Sequence, residues 1–173
     1  MDSYINVLAR IMAEGEMRAK RTGTDTLSTF GGHWEHDLQD GFPLLTTKKM
    51  AFRGIIAELV GFIRGVTNAE EFARLGTKIW LANANDPGAP GSVNTWLTNI
   101  YRDGENDLGR IYGVQWRDWR TVKIGRDGLI DATCTDQLRV LVDGLRGNPY
   151  GRRHVVTAWN PGELDDVCLP SCH

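Results

Sequence analysis

The chain reads as an α+β or α/β domain built on one sheet, and three observations carry that expectation. Apolar residues recur at helical spacing in separated stretches near residues 4–12, 52–63 and 138–145. Between them lie short apolar or aromatic runs bounded by glycine, proline and asparagine, the pattern of strands and turns. The length, 173 residues with 41% apolar and 24% charged side chains, fits one soluble globular domain with a sizeable core.

Taken in order, Tyr4, Val7, Leu8, Ile11 and Met12 share one face, so an amphipathic helix is expected from residue 4 to about 18. Arg21-Thr22-Gly23-Thr24-Asp25-Thr26 then breaks the pattern. Such a loop either offers N–H groups and hydroxyls to an anion, with Arg21 as charge partner, or simply turns into a strand. Residues 27–30 and 34–38 read as strand with a Gly31-Gly32 bend or bulge between them, and Asp40-Gly41-Phe42-Pro43 reads as a turn.

Phe52, Ile55, Ile56, Leu59, Phe62 and Ile63 predict a helix over 51–64 with an apolar stripe wide enough for burial on several sides. Glu58 is the only acid inside it. It is either a solvated flank residue or a buried functional acid with a raised pKa. Asn68 is a plausible N-cap for a short helix reaching Leu75, closed by Gly76. Residues 82–95, rich in Gly, Pro, Asn and Ala, predict a surface loop. The interleaved aromatic and polar residues of 109–119 suggest an aromatic strand end under a loop. Leu138, Leu141, Val142 and Leu145 predict a helix over 136–146, ended by Gly147-Asn148-Pro149, and residues 154–159 return to strand. Six tryptophans and 20 glycines fit a well-filled core with many turns, or flat surfaces for a planar ligand. No internal repeat or second domain shows.

The chemistry concentrates in the last stretch, which runs from Trp159 to Cys168-Leu169-Pro170-Ser171-Cys172-His173. A thiol attacks as thiolate, and an unperturbed cysteine is only a few per cent ionised near neutrality. The paired cations Arg152 and Arg153 would raise that fraction, so Cys172 reads as a nucleophile. A metal site at Cys168, Cys172 and His173, with Cys134, lacks a second ligand pair, and the spacing of three residues between Cys168 and Cys172 excludes the haem-attachment pattern. Three cysteines, an odd number, suit free thiols in a reducing compartment, and with no apolar leader or membrane span the expected location is the cytosol. The net charge of −2 gives no general field for nucleic acid or anionic membrane.

Several separated blocks together resemble the thymidylate synthase family. They are Arg21-Thr22-Gly23-Thr24, the run Gly41-Phe42-Pro43-Leu44-Leu45-Thr46-Thr47-Lys48-Lys49, Glu58-Leu59 and Ile79-Trp80. Further on come Leu108-Gly109, Tyr112-Gly113, Gln115-Trp116-Arg117, Arg152-Arg153, Ala158-Trp159-Asn160, Gly162-Glu163-Leu164 and Cys172-His173. The resemblance covers nearly the whole chain. It implies an α+β fold with a mixed sheet covered by helices, and transfer of a one-carbon unit from 5,10-methylenetetrahydrofolate to C5 of dUMP, giving dTMP and dihydrofolate. Carried over by position, Cys172 would add to C6 of the base, Glu58 would organise proton transfers and help activate the folate, and Tyr112 would assist loss of the C5 proton. Arg21 would hold the nucleotide phosphate, and Arg152 and Arg153 would reach the phosphate of a neighbouring subunit, which implies a homodimer with shared sites. Trp80 and Leu169 would line the folate pocket, Lys48 would lie near its glutamate tail, and His173 completes the Cys-His pair without acting as general base. No metal is implied.

The chain also departs from the family pattern. Ser171 precedes the thiol where proline is usual, Leu81-Ala82-Asn83 follows Trp80 in place of Asp-Glu-Trp, Gly61 replaces a common tryptophan, and Ala51 a common histidine. Residues 82–107 resemble a loop insertion seen in some members. The sequence stops at His173, before the family's Arg-Ser-x-x-Asp block, its base-reading asparagine and its His-x-Tyr contact to ribose. Residues 1–173 are therefore expected to be the N-terminal portion of a single domain, truncated on its C-terminal side and completed by a further fragment. A deoxypyrimidylate (dUMP or dCMP) hydroxymethylase and a non-catalytic remnant binding nucleotide or a partner are the alternatives. Retention of Trp80 favours methyl over hydroxymethyl as product.

Overall fold

A computed structural model describes residues 2–19, 25–87 and 94–171. The fold has two compact units, one up to Ala51 and the other starting at Phe52. In the first, α1 (Asp2–Glu14) carries an Arg10–Glu14 pair at 3.0 Å. The helix stops four residues short of the sequence expectation because residues 16–18 leave it to form β1 (Glu16–Arg18), antiparallel to β2 (Thr26–Ser28) with Met17 opposite Leu27. No strand forms over residues 34–38. Trp34 and His36 instead stack on each other at 6.0 Å, and His36 Nε2 bonds the Gly41 carbonyl at 2.8 Å. A 3-10 turn at Leu38–Asp40, capped by the Asp37 carboxylate on the Gln39 N–H, closes that stretch and engages the Asp37 and Leu38 carbonyls.

The second unit holds the core. α2 (Phe52–Arg64) appears where its stripe predicts, and α3 (Ala69–Leu75) begins at Asn68, whose side chain accepts from the Glu70 N–H at 2.9 Å. Gly76 at φ 122° ends α3 and returns its N–H to the carbonyls of Phe72 and Ala73. α4 (Trp80–Asn85) occupies the start of the expected 82–95 loop, and a 3-10 turn at Thr95–Thr98 follows. Residues 112–117, expected as a strand end, form α5 (Tyr112–Arg117). The reason is packing: a Cβ at Gly113 would overlap the Phe62 backbone, so only glycine lets α5 lie directly on α2. Phe62, Ala69, Phe72, Trp80, Ala84, Leu108 and Ile111 make the buried cluster.

After α5 the chain forms a hairpin of β3 (Trp119–Ile124) and β4 (Ile130–Thr135), with Lys123 opposite Asp131, and then α6 (Gln137–Gly147), capped by Asp136. The class is therefore α+β, with two separate two-stranded antiparallel sheets among the described residues rather than one sheet. Residues 154–159 pair with no strand. Gln137 takes that role: its amide donates to the Thr157 carbonyl at 2.8 Å and accepts from the Thr157 N–H at 3.0 Å. Among the described residues no helix is long and apolar enough to cross a membrane.

Candidate active site

Three residues expected at the site meet in the second unit. Glu58 lies in the second turn of α2, half-buried, and Trp80 opens α4. The Trp80 Nε1–H donates to Glu58 Oε1 at 2.9 Å. Tyr112 opens α5, stacks on Phe62 at 4.8 Å and meets the Trp80 ring edge-on at 6.1 Å. Acid, indole and phenol thus share one aromatic wall with Phe62, Phe72 and Trp116. Burial raises the Glu58 carboxyl above its ordinary 4.5, and the Trp80 N–H pulls it part of the way back. Such a carboxyl keeps its proton to higher pH than a surface glutamate, which suits a group that exchanges protons with a substrate.

Trp80 is only 4% exposed, so its faces are covered by protein and its polar edge serves Glu58. Leu169 is at the surface, as are Arg152 and Arg153 in the turn after α6, and these three stand outside the aromatic cluster. Lys48 is exposed in the first unit. Arg21, Cys172 and His173 lie outside the described residues. Cys168 belongs to the core rim, where burial pushes its thiol up to about 12; it is no nucleophile at neutral pH.

A polar hub beside this wall was not foreseen. Arg110 donates from Nε to Glu163 Oε2 at 2.7 Å and from Nη1 to Asp118 Oδ2 at 3.0 Å, with Nη2 on the Asp118 carbonyl. Gln115, 2% exposed, donates to the same Glu163 oxygen at 2.7 Å and to the Arg110 carbonyl at 3.1 Å. Gln137 reaches the Gln115 carbonyl at 2.7 Å. Burial works against the charge on Arg110, but Glu163 and Asp118 outweigh it and hold the guanidinium pKa above its ordinary value. Gln115 and Glu163 both stood inside recognisable blocks; what no spacing disclosed was that Arg110 would join them.

The family model described as thymidylate synthase matches residues 2–173. The chain belongs to the thymidylate synthase family. The thymidylate synthases of Pseudomonas syringae pv. tomato and Pseudomonas putida are 38% and 37% identical to it across the whole chain, and that of Bordetella parapertussis is 35% identical. The chain spans about 60% of the length of these curated relatives. Within the thymidylate synthase pattern, the positions that meet in the structure are the acid, the indole and the phenol.

Proposed function

We propose that the chain supplies the nucleophile, the acid and the phenol for methylation of dUMP to dTMP, with 5,10-methylenetetrahydrofolate as co-substrate. The observation that carries the proposal is the raised carboxyl of Glu58, held by the Trp80 N–H beside Tyr112. The Cys172 thiolate adds to C6 of the pyrimidine, and the electron pair moves to C5 and O4. C5 attacks the one-carbon unit, and the C5 proton then leaves with help from Tyr112. The folate nitrogen departs, and the ring carbon beside it in the released tetrahydrofolate gives up a hydride to the exocyclic carbon, which leaves a C=N bond in the pterin. Expulsion of the thiolate from C6 yields dTMP and dihydrofolate. Glu58 serves the proton transfers through water.

Arg21 holds the dUMP phosphate in this reading. Arg152 and Arg153, both exposed, reach the phosphate bound by a second copy in a homodimer. Leu169 and Lys48, also at the surface, contact the folate, and Trp80 acts on it through Glu58.

The test mixes the chain with labelled dUMP and methylenetetrahydrofolate, alone and with a polypeptide covering the part of the P. syringae relative that it does not span. A dUMP adduct on Cys172 and labelled dTMP are the expected results, and Cys172→Ser loses both. Turnover retained in Cys172→Ser removes the assigned nucleophile. A hydroxymethyl product by mass changes the reaction assigned, and no adduct in either mixture favours a non-catalytic binding role.

A further inference from the structure

We infer that Arg110 is a positioning residue: through the directed hydrogen bonds of its guanidinium to Glu163 and Asp118 it fixes residues 160–171, which lead to Cys172, against the helix that presents Tyr112. The inference rests on the function proposed above.

Two elements must be held in register for a thiol and a phenol to act on adjacent ring carbons, and the hub touches both. Gln115 is in α5, three residues beyond Tyr112, and Glu163 precedes Cys172 by nine. Between them stands one carboxylate oxygen, Glu163 Oε2, which accepts from Arg110 Nε and Gln115 Nε2, each at 2.7 Å. Asp118 holds the other side of the guanidinium, so the cation cannot follow Glu163 if that segment shifts. Arg110 and Glu163 side chains are 13% and 14% exposed, which keeps water from replacing either partner. The planar fork is what serves three acceptors at fixed angles; an ammonium at this place could serve one well.

The segment has further fasteners that do not use the Arg110 side chain. Asn99 donates to the Asp165 carbonyl at 2.6 Å, the Arg110 N–H to the Asp166 carbonyl at 3.2 Å, and the Cys168 N–H to the Leu108 carbonyl at 3.1 Å. Gly109 bridges Val167, and a Cβ at Gly109 would overlap the Asp166 carbonyl. With these in place an Arg110→Lys chain keeps its fold, and what it loses is the angle at which residues 160–163 meet α5.

The experiment uses the mixture that gives the Cys172 adduct and follows its formation by intact mass against dUMP concentration. Arg110→Lys is expected to slow the adduct at saturating dUMP by about 10- to 100-fold, the range a misplaced reactive group costs. Its half-saturating dUMP concentration should stay within about twofold, because phosphate binding lies elsewhere. Glu163→Gln keeps an oxygen for both donors and should stay nearer the parent rate than Arg110→Lys. A purely structural role would instead raise half-saturation, slow the adduct and expose Cys168 to iodoacetamide together, and that joint change overturns the inference. So does an unchanged adduct rate in Arg110→Lys. If the unsubstituted chain forms no adduct, the functional reading falls first and this inference with it.

Discussion

The ring of Phe72 fills the space that a side chain at position 61 would need. A Cβ at Gly61 would overlap the edge of that ring, and Phe72 is completely buried, so it cannot swing away. The glycine that stands where the family commonly has tryptophan is thus matched from the next helix. Gly61→Ala should cost about 1–3 kcal/mol through overpacking. The urea midpoint should fall with an unchanged slope, and Phe72→Leu in the same chain should return part of the loss.

Glu58 makes stability depend on pH in an unusual direction. Its folded pKa lies above the ordinary 4.5, so between those two values the folded chain holds more protons than the unfolded one. Stability therefore falls as pH rises through that window. Glu58→Gln keeps an oxygen for the Trp80 N–H and removes the titration. Its melting temperature should exceed the parent's above the window and converge with it below, as melts across the acid range would read.

Removing the donor should move the same carboxyl further. The Trp80 N–H favours the ionised form of Glu58, so Trp80→Phe raises the Glu58 pKa beyond its present position. A side-chain carboxyl titration by NMR reads the shift. A Glu58 titration unchanged in Trp80→Phe would mean the hydrogen bond has no hold on the proton.

The two described thiols should separate in alkylation. Cys168, pushed up to about 12 by burial, should resist iodoacetamide in native buffer and react only on unfolding. Cys134 is exposed on β4 and hydrogen-bonded to Asp118, which raises its pKa. Asp118→Asn should therefore speed its labelling. Peptide mapping distinguishes the sites.

Gln137 substitutes for a neighbouring strand, and its loss should show at one amide. Gln137→Ala removes bonds to Gln115 and to both main-chain groups of Thr157, at roughly 1 kcal/mol for each net bond. Hydrogen exchange at the Thr157 amide should accelerate far more than exchange in α2.

The helices α2, α3 and α6 were legible from local signals: the apolar stripe from Phe52 to Ile63, the Asn68 cap with Gly76, and the stripe from Leu138 to Leu145. α5 was hidden because its glycine serves a contact with Phe62, fifty-one positions earlier, that local pattern cannot register. The β3–β4 hairpin had its signals, with Thr121-Val122-Lys123-Ile124 alternating and Arg126-Asp127-Gly128 turning, yet residues on both faces are mostly exposed, so no buried face sharpened the pattern. Of the site, Glu58, Trp80 and Tyr112 were readable through family resemblance, and the structure adds the bond and ring contacts joining them. The Arg110 hub was not readable, because partners 53 residues apart leave no periodic trace.

The spans of these contacts also order the events of synthesis. Glu58 and Trp80 are 22 residues apart, whereas Asn99 meets Asp165 across 66. Closing the longer loop costs only about 1 kcal/mol more, so the difference is one of timing rather than of final balance. A ribosome emits about 5–20 residues each second, and α2, α3 and α4 can pack while the 157–171 stretch is still inside the exit tunnel. Glu58 is therefore seated against Trp80 before the stretch that carries Glu163 and Cys168 has emerged to meet Arg110 and Leu108.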